Sequence, residues 1–216
     1  MPKGHRKIIL DLEFNPIRDP ELREYARQEI IEIGAVMLDD ELKQISSFQQ
    51  YIKPQHNIVE PRITSITHIT NEMLESCPCF NEAMYKFMDW IGDEPCTFYS
   101  WSDTDRNVIL NEIDLKCPDD ERYDMFFVYW MDLQRIYQRK MGFYKSMGLT
   151  NALGSLRIYF EGTAHGALAD AENTAEIMRC LSDNERMKLC KSSSVTFNGH
   201  SASKGFTMGS IAIKKK

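Results

Sequence analysis

The run Lys7-Ile8-Ile9-Leu10-Asp11-Leu12-Glu13-Phe14 constrains this chain more than any other segment, because it is apolar enough to be buried and yet carries two acids. Closed by Asn15-Pro16, it reads as a buried strand ending in a turn. Residues two apart on a strand face the same side, so Asp11 and Glu13 project together. Carboxylates enter a core only when paired, hydrogen-bonded or bound to metal. Two held this close raise each other's pKa, and a divalent cation between them keeps both ionised. The competing reading is a strand whose acids point to solvent and meet lysines, and Asp-x-Glu alone does not separate the two.

The rest of the pattern places this strand in a larger sheet. Glu29 to Leu38 (EIIEIGAVML) and Ile45 to Ile52 (ISSFQQYI) read as strands joined at Asp39-Asp40, which gives a three-strand antiparallel meander. Residues 17–28 are polar and suit an exposed connection with a helical turn. Ile66 to Leu74 and Phe80 to Ile91 have helical spacing and are separated by Pro78. Cys96 to Trp101 is a fourth strand, Asp103 to Leu115 a helix, and Tyr123 to Tyr129 a fifth strand candidate. MDLQRIYQRKMG, LTNALGSLRIYF and LADAENTAEIMRCL then read as helices. The expected architecture is α/β, a mixed sheet of about five strands flanked by helices.

With 216 residues the chain suits one such domain, and its 43% hydrophobic and 27% charged content is that of an ordinary globular protein. Residues 1–190 are expected to form the domain and 191–216 a Ser/Gly/Lys-rich tail. That tail holds five lysines and no acid, and removing it leaves 21 basic against 32 acidic residues on the remainder. The net charge of -6 argues against nonspecific coating of nucleic acid. It is compatible with a phosphate-handling site whose acids gather around cations. No apolar run approaches the roughly 18 residues of a membrane span, and the opening MPKGHRKIIL lacks a signal-peptide apolar region. The expectation is a cytoplasmic protein that does not enter a membrane. Its six cysteines, without zinc-finger spacing, read as reduced thiols.

Two further motifs carry chemistry. Ser100-Trp101-Ser102-Asp103-Thr104-Asp105 puts an acidic pair at a strand-to-helix junction, where open α/β sheets place ligand sites. Either aspartate alone is as well explained as a helix cap. His165-Gly166-Ala167-Leu168-Ala169-Asp170 puts an imidazole in a loop and a carboxylate in the first turn of a helix. Histidine is suited to take a proton near neutral pH, and an early-helix aspartate also complements the helix dipole.

Taken together, the order and spacing of these three motifs resemble the exonuclease motifs of the DnaQ-like DEDDh family. The resemblance covers nearly all of residues 7–182. It extends to ITSITHIT, Phe80-Asn81-Glu82-Ala83, Trp90-Ile91-Gly92 and LTNALGSLRIYFEGTAHGALAD. That wider pattern is most similar to the exoribonuclease subgroup containing the histone-mRNA 3′ exonuclease and KapD. The resemblance implies a ribonuclease-H-like fold and 3′→5′ exonuclease activity. It further implies that Asp11, Glu13, Asp105 and Asp170 hold two Mg²⁺ or Mn²⁺ ions, with His165 as the base for the attacking water. Asp105 is chosen over Asp103 because the family's carboxylate stands four residues after the equivalent of Trp101.

The implied partner is the 3′ end of a single-stranded nucleic acid, RNA in preference to DNA, with nucleoside 5′-monophosphates as products. Phe14, His68 and Trp101 are candidate substrate contacts. The chain departs from the pattern at three places. Phe14-Asn15 replaces a small residue followed by Thr or Ser, Ala169 stands where the subgroup often has a second Asp, and His68 stands where it tends to have Gly. Two other functions use the same residues: a noncatalytic nucleic-acid-binding or regulatory protein, and a phosphodiesterase of oligonucleotides or dinucleotides. The motifs leave the oligomeric state open.

Overall fold

Apolar strand runs and the turn at Asp39-Asp40 set up a five-stranded mixed sheet. The computed structural model describes residues 5–123 and 127–194. Strands β1 (Arg6–Pro16), β2 (Gln28–Leu38), β3 (Gln44–Tyr51), β4 (Cys96–Ser100) and β5 (Trp130–Asp132) lie in the order β3-β2-β1-β4-β5. β1 pairs antiparallel with β2, and β2 antiparallel with β3, so the meander forms as the sequence implies. β4 and β5 add in parallel on the other side of β1.

Alternation sends successive side chains of β1 to opposite layers. Ile8, Leu10 and Leu12 join Ile33, Ala35 and Met37 in one core, together with α3 (Phe80–Ile91) and α4 (Thr104–Lys116). Ile9 joins Val36 and Leu38 in the other, under α5 (Leu133–Met141), α6 (Leu149–Ser155) and α7 (Ala167–Ser182). Asp11 and Glu13 continue the row that Ile9 begins, and Gly34 and Glu32 continue the row of Val36. The two acids therefore lie at the end of the α7 layer.

α4 is tied to the sheet by a buried ionic group. The Lys116 ammonium lies 2.6 Å from Glu112 and 3.2 Å from Glu29, all three side chains being almost fully enclosed. Glu112 also accepts the Ile30 N–H at 2.8 Å, and Glu29 accepts the backbone N–H groups of Gln55, His56 and Asn57. One lysine thus joins β2, α4 and the segment that leads into α1 (Pro61–Thr67). Burial pushes Glu112 up to about 7, against the pull of Lys116 and the Ile30 amide.

Several boundaries differ from expectation. The helix expected over Ile66 to Leu74 is broken at His68, whose backbone is left-handed (φ 62), and α2 (Asn71–Leu74) restarts under a Thr70 cap. Glycine tolerates that conformation at least cost, and His68 stands where the subgroup that the sequence resembles tends to have Gly. Tyr123 does not begin a strand: its amide bonds to the Asp120 carbonyl at 3.1 Å in a 3₁₀ turn over Glu121–Tyr123, and β5 starts only at Trp130. Residues 124–126 of the expected strand lie outside the described residues. The helix read over LTNALGSLRIYF ends at Ser155, followed by Arg157 in the left-handed region (φ 58). A further helix, α8 (Asn184–Ser194), crosses position 190, where the tail was expected to begin. The remainder of the tail, 195–216, lies outside the described residues.

Candidate active site

β1 runs past the end of its parallel neighbour. The β1–β4 ladder extends from Arg6 opposite Cys96 to Ile9 opposite Tyr99, so the β1 backbone beyond Ile9 lacks a strand partner on that side. α4 begins there. Asp105, in its first turn, is 5% exposed and accepts the Leu12 backbone N–H, between the two acids of β1. This is the crevice beyond the carboxyl ends of adjacent strands in which α/β sheets bind ligands.

The acidic pair at this junction is divided. Asp103 stands at the start of α4 and turns outward, 2.9 Å from the exposed Arg135 guanidinium. Asp105 turns inward. Of the two, only Asp105 joins the other carboxylates.

The third element is α7. Its start packs directly on the β2 backbone: a Cβ added at Gly34 would lie 2.0 Å from Leu168 N and 2.1 Å from the Ala167 carbonyl carbon. Only a glycine permits that approach, and Gly34 stands opposite Asp11 in the ladder. His165, with φ 62, precedes the helix, and Asp170 lies in its first turn. Ligand atoms of Glu13, His165 and Asp170 all lie within 4.8 Å of one another.

Electrostatics show how crowded the acids are. Burial, then the charges of Asp105, Asp170, Glu13 and Glu32, hold Asp11 well above the ordinary carboxylate range. Glu13 is pushed up to about 8 by burial and by Asp170, Glu32 and Asp105. Asp105 reaches about 7 through burial, in spite of the amides that it accepts. Asp170 rises to about 6 through burial, with His165 pulling it back. The Oδ1 atom of Asp170 is buried and has no hydrogen-bond partner among the described residues.

A buried, partnerless carboxylate oxygen beside three mutually repelling acids is an arrangement that lacks its counter-charge. Hard divalent cations prefer such oxygen donors. The residues present therefore fit a divalent metal centre.

The RNase T family model, described as Exonuclease, matches residues 8–178. This chain belongs to the RNase T exonuclease family. Human ERI1 exoribonuclease 2 is 30% identical over 212 residues, spanning 86% of this chain and 30% of that protein. The 3′-5′ exonuclease Snipper of Drosophila melanogaster is 29% identical over 195 residues, spanning 79% of this chain and 67% of that protein. The chain thus matches about a third of the length of ERI1 exoribonuclease 2. Among solved structures, the nuclease domain of 3′hExo, a DEDDh family member bound to rAMP, superposes with a TM-score of 0.67 at 24% identity, over 88% of this chain and 96% of that domain. Escherichia coli exonuclease I in complex with a dA16 oligonucleotide superposes with a TM-score of 0.61 at 16% identity, over 85% of this chain and 42% of that one. These likenesses establish the ribonuclease-H-like fold. The DEDDh exonuclease family implies divalent metal ions.

Within the family frame, the remaining expected contacts separate. Trp101 is 8% exposed, its ring is tilted at 53° to that of Tyr137 with centroids 5.5 Å apart, and its Nε1 donates to the Met147 carbonyl. Its ring belongs to the core. Phe14 is half-buried against the opposite core, just after a β-bulge between Glu13 and Phe14. His68 is exposed at the end of α1. Asn15, at the position where the family more often has Thr or Ser, is fully buried. Its amide donates to the carbonyls of Asn57 and Ile58 and its oxygen accepts the Glu60 N–H, which anchors the segment before α1.

Glu32 escaped the sequence reading. It is 1% exposed and directly opposite Glu13. The signal was present, since an acid inside the apolar run EIIEIGAVML raises the same question as Asp11 and Glu13.

Proposed function

We propose that this chain is a 3′→5′ exonuclease that removes nucleoside 5′-monophosphates from single-stranded nucleic acid, RNA in preference to DNA. The observation that carries the reading is the convergence of Asp11, Glu13, Asp105 and Asp170 with His165, supplied by a strand, a strand-to-helix junction and a helix start, in a chain of the exonuclease family. The names of the curated relatives, exoribonucleases matched over most of this chain, support RNA.

Asp11, Glu13, Asp105 and Asp170 would hold two ions, Mg²⁺ or Mn²⁺, through oxygen donors. When bound, such ions activate water and neutralise charge developing on the attacking and leaving oxygens. The protein's own share is to keep four acids converged and to place His165 beside them. Water oxygen bonds to the terminal phosphorus, the bond from phosphorus to the O3′ of the preceding nucleotide breaks, and the His165 imidazole accepts the proton released by the water. The departing O3′ takes a proton from solvent, so the shortened strand ends in a new 3′-hydroxyl.

A cleft that includes Arg23, Tyr25 and Arg27 faces Thr104 and Asn107 of α4. It opens at the residue that precedes Asp105. Arg23, Tyr25 and Arg27 are all exposed, as is Glu24 between them, and two guanidinium groups beside an aromatic ring suit a single-stranded backbone. We place the strand leading to the scissile phosphate along this cleft. Among the described residues the six cysteines form no disulfide, a state that a reducing compartment such as the cytoplasm preserves, and no helix is long and apolar enough to cross a membrane.

The test is a panel of 3′-labelled single-stranded RNA, single-stranded DNA and dinucleotides, incubated with the chain and either Mg²⁺ or Mn²⁺. Mononucleotide release, fastest on RNA and stopped by chelator, is expected. A preference for the shortest substrates points instead to a dinucleotide phosphodiesterase. Tight binding with no release points to a noncatalytic binding protein.

A further inference from the structure

We propose that Glu32 is a positioning residue that anchors the start of α7 and thereby sets His165 and Asp170 against Glu13. The inference rests on the exonuclease reading for its kinetic consequences and on geometry alone for the anchor.

The first amides of a helix have no partner inside it and are ordinarily met by a side chain at the N-cap. The N-cap of α7 is Gly166, which has no side chain to offer. Glu32 meets the need from β2 instead: its Oε2 accepts the Ala167 N–H at 3.2 Å. Its Oε1 accepts Gln49 Nε2 at 2.7 Å from β3. Both oxygens are thus engaged by protein donors, which assigns Glu32 a different task from the ligand set that contains Asp170 with its partnerless Oδ1. Two residues along the same face of β2, Gly34 lets the α7 backbone descend onto the sheet. Glu32 fixes where it stops. His165 is two residues before Ala167 and Asp170 three after it, so a shift at that amide moves base and ligand together.

Outer partners of this kind typically change metal affinity or activity by about 10–100-fold when removed. Two near-isosteric variants separate anchoring from charge. Glu32→Gln keeps an oxygen for the Ala167 amide and an amide group that pairs with a rotated Gln49. Glu32→Met fills the space and accepts nothing.

The experiment measures kcat and KM on single-stranded RNA, alone and in combination with His165→Ala, together with amide hydrogen exchange at Ala167. Expected for Glu32→Gln is a kcat within about threefold of the parent and a protected Ala167 amide. Expected for Glu32→Met is a kcat lowered about 10–100-fold at similar KM, an exchanging amide, and a smaller cost of adding His165→Ala than in the parent. Glu32→Met with parental kcat and protection overturns the proposal. So does Glu32→Gln as inactive as Met with its amide still protected, which would make the charge itself the contribution. The exchange measurement reads the anchor even in a protein without nuclease activity, so failure of the anchor and failure of the exonuclease reading are distinguishable.

Discussion

Glu13 of β1 and Glu32 of β2 stand directly opposite each other across an antiparallel ladder. Like charges at facing positions destabilise a sheet. Here the conflict is divided. Burial raises Glu32, with Gln49 and the Ala167 amide pulling it back, while Glu13 faces His165 and Asp170 and is pushed up to about 8, in part by Glu32.

That division makes stability depend on pH in an unusual direction. A carboxylate raised from its ordinary 4.5 to about 8 holds its proton in the folded protein over a range in which the unfolded chain has lost it. The folded state then binds more protons, so its stability falls as pH rises through that window. Asp105, raised from 3.8 to about 7, and Asp170, raised from 3.8 to about 6, act in the same sense. Thermal melts of chelator-treated protein are expected to show Tm falling between about pH 4.5 and 8. Added Mg²⁺ or Mn²⁺ is expected to raise Tm, most at the alkaline end, where the acids give up no proton on binding. A metal-free Tm that climbs across this window contradicts the crowded-acid account.

His165 is expected to affect the chemical step. Replacing it with Ala should lower kcat by about 10²–10⁴-fold, the ordinary contribution of a general base, and leave metal-induced stabilisation close to that of the parent. The acidic limb of the pH–rate profile should change most. An unchanged profile in His165→Ala removes this residue as the base.

Arg23 and Arg27 are expected to act on binding. Charge reversal at either position should raise KM on single-stranded RNA, leave kcat at saturation nearly unchanged, and flatten the dependence of log KM on log salt by about one phosphate contact. Steady-state kinetics at several salt concentrations check this. Parental KM and salt slope in the double reversal would take the strand elsewhere.

Lys116 bears on stability and the loop before α1. Lys116→Met leaves Glu29 and Glu112 facing each other without their cation, and removing one member of a buried ionic group costs about 3–5 kcal/mol. Urea denaturation at neutral pH measures it. The loss should shrink in acid, as Glu112, already raised to about 7, takes up a proton. A loss below about 1 kcal/mol contradicts a structural role for the group.

The meander and the helical layers were legible in the sequence because alternation and helical spacing report directly on which face is buried. Asp11 and Glu13 were visible for the same reason, as acids where burial forbids them. Asp105 needed a spacing rule, since either aspartate of the pair can begin a helix; the inward turn of one and the Arg135 partner of the other arise only from packing. Glu32 and Gly34 became meaningful only through register, because what stands opposite Glu13 and what approaches Gly34 are properties of the assembled sheet. For Trp101 the sequence leaves a substrate contact and a core position both open, and the bond from its indole N–H to the Met147 carbonyl, 46 residues away, is a contact no local pattern announces. Tyr123 has the composition of a strand start, but the Asp120 carbonyl captures its amide in a turn before any strand can.

Whether the converged carboxylates carry exonuclease chemistry is decided by mononucleotide release from 3′-labelled single-stranded RNA in the presence of Mg²⁺ or Mn²⁺, comparing the parent with Asp11→Ala and Asp170→Ala. Release by the parent is expected, with a loss of at least about 10³-fold in both variants, several kcal/mol of charge stabilisation, and with folding retained because each substitution relieves repulsion. Parental rates of release from either well-folded variant would contradict that role of the carboxylates.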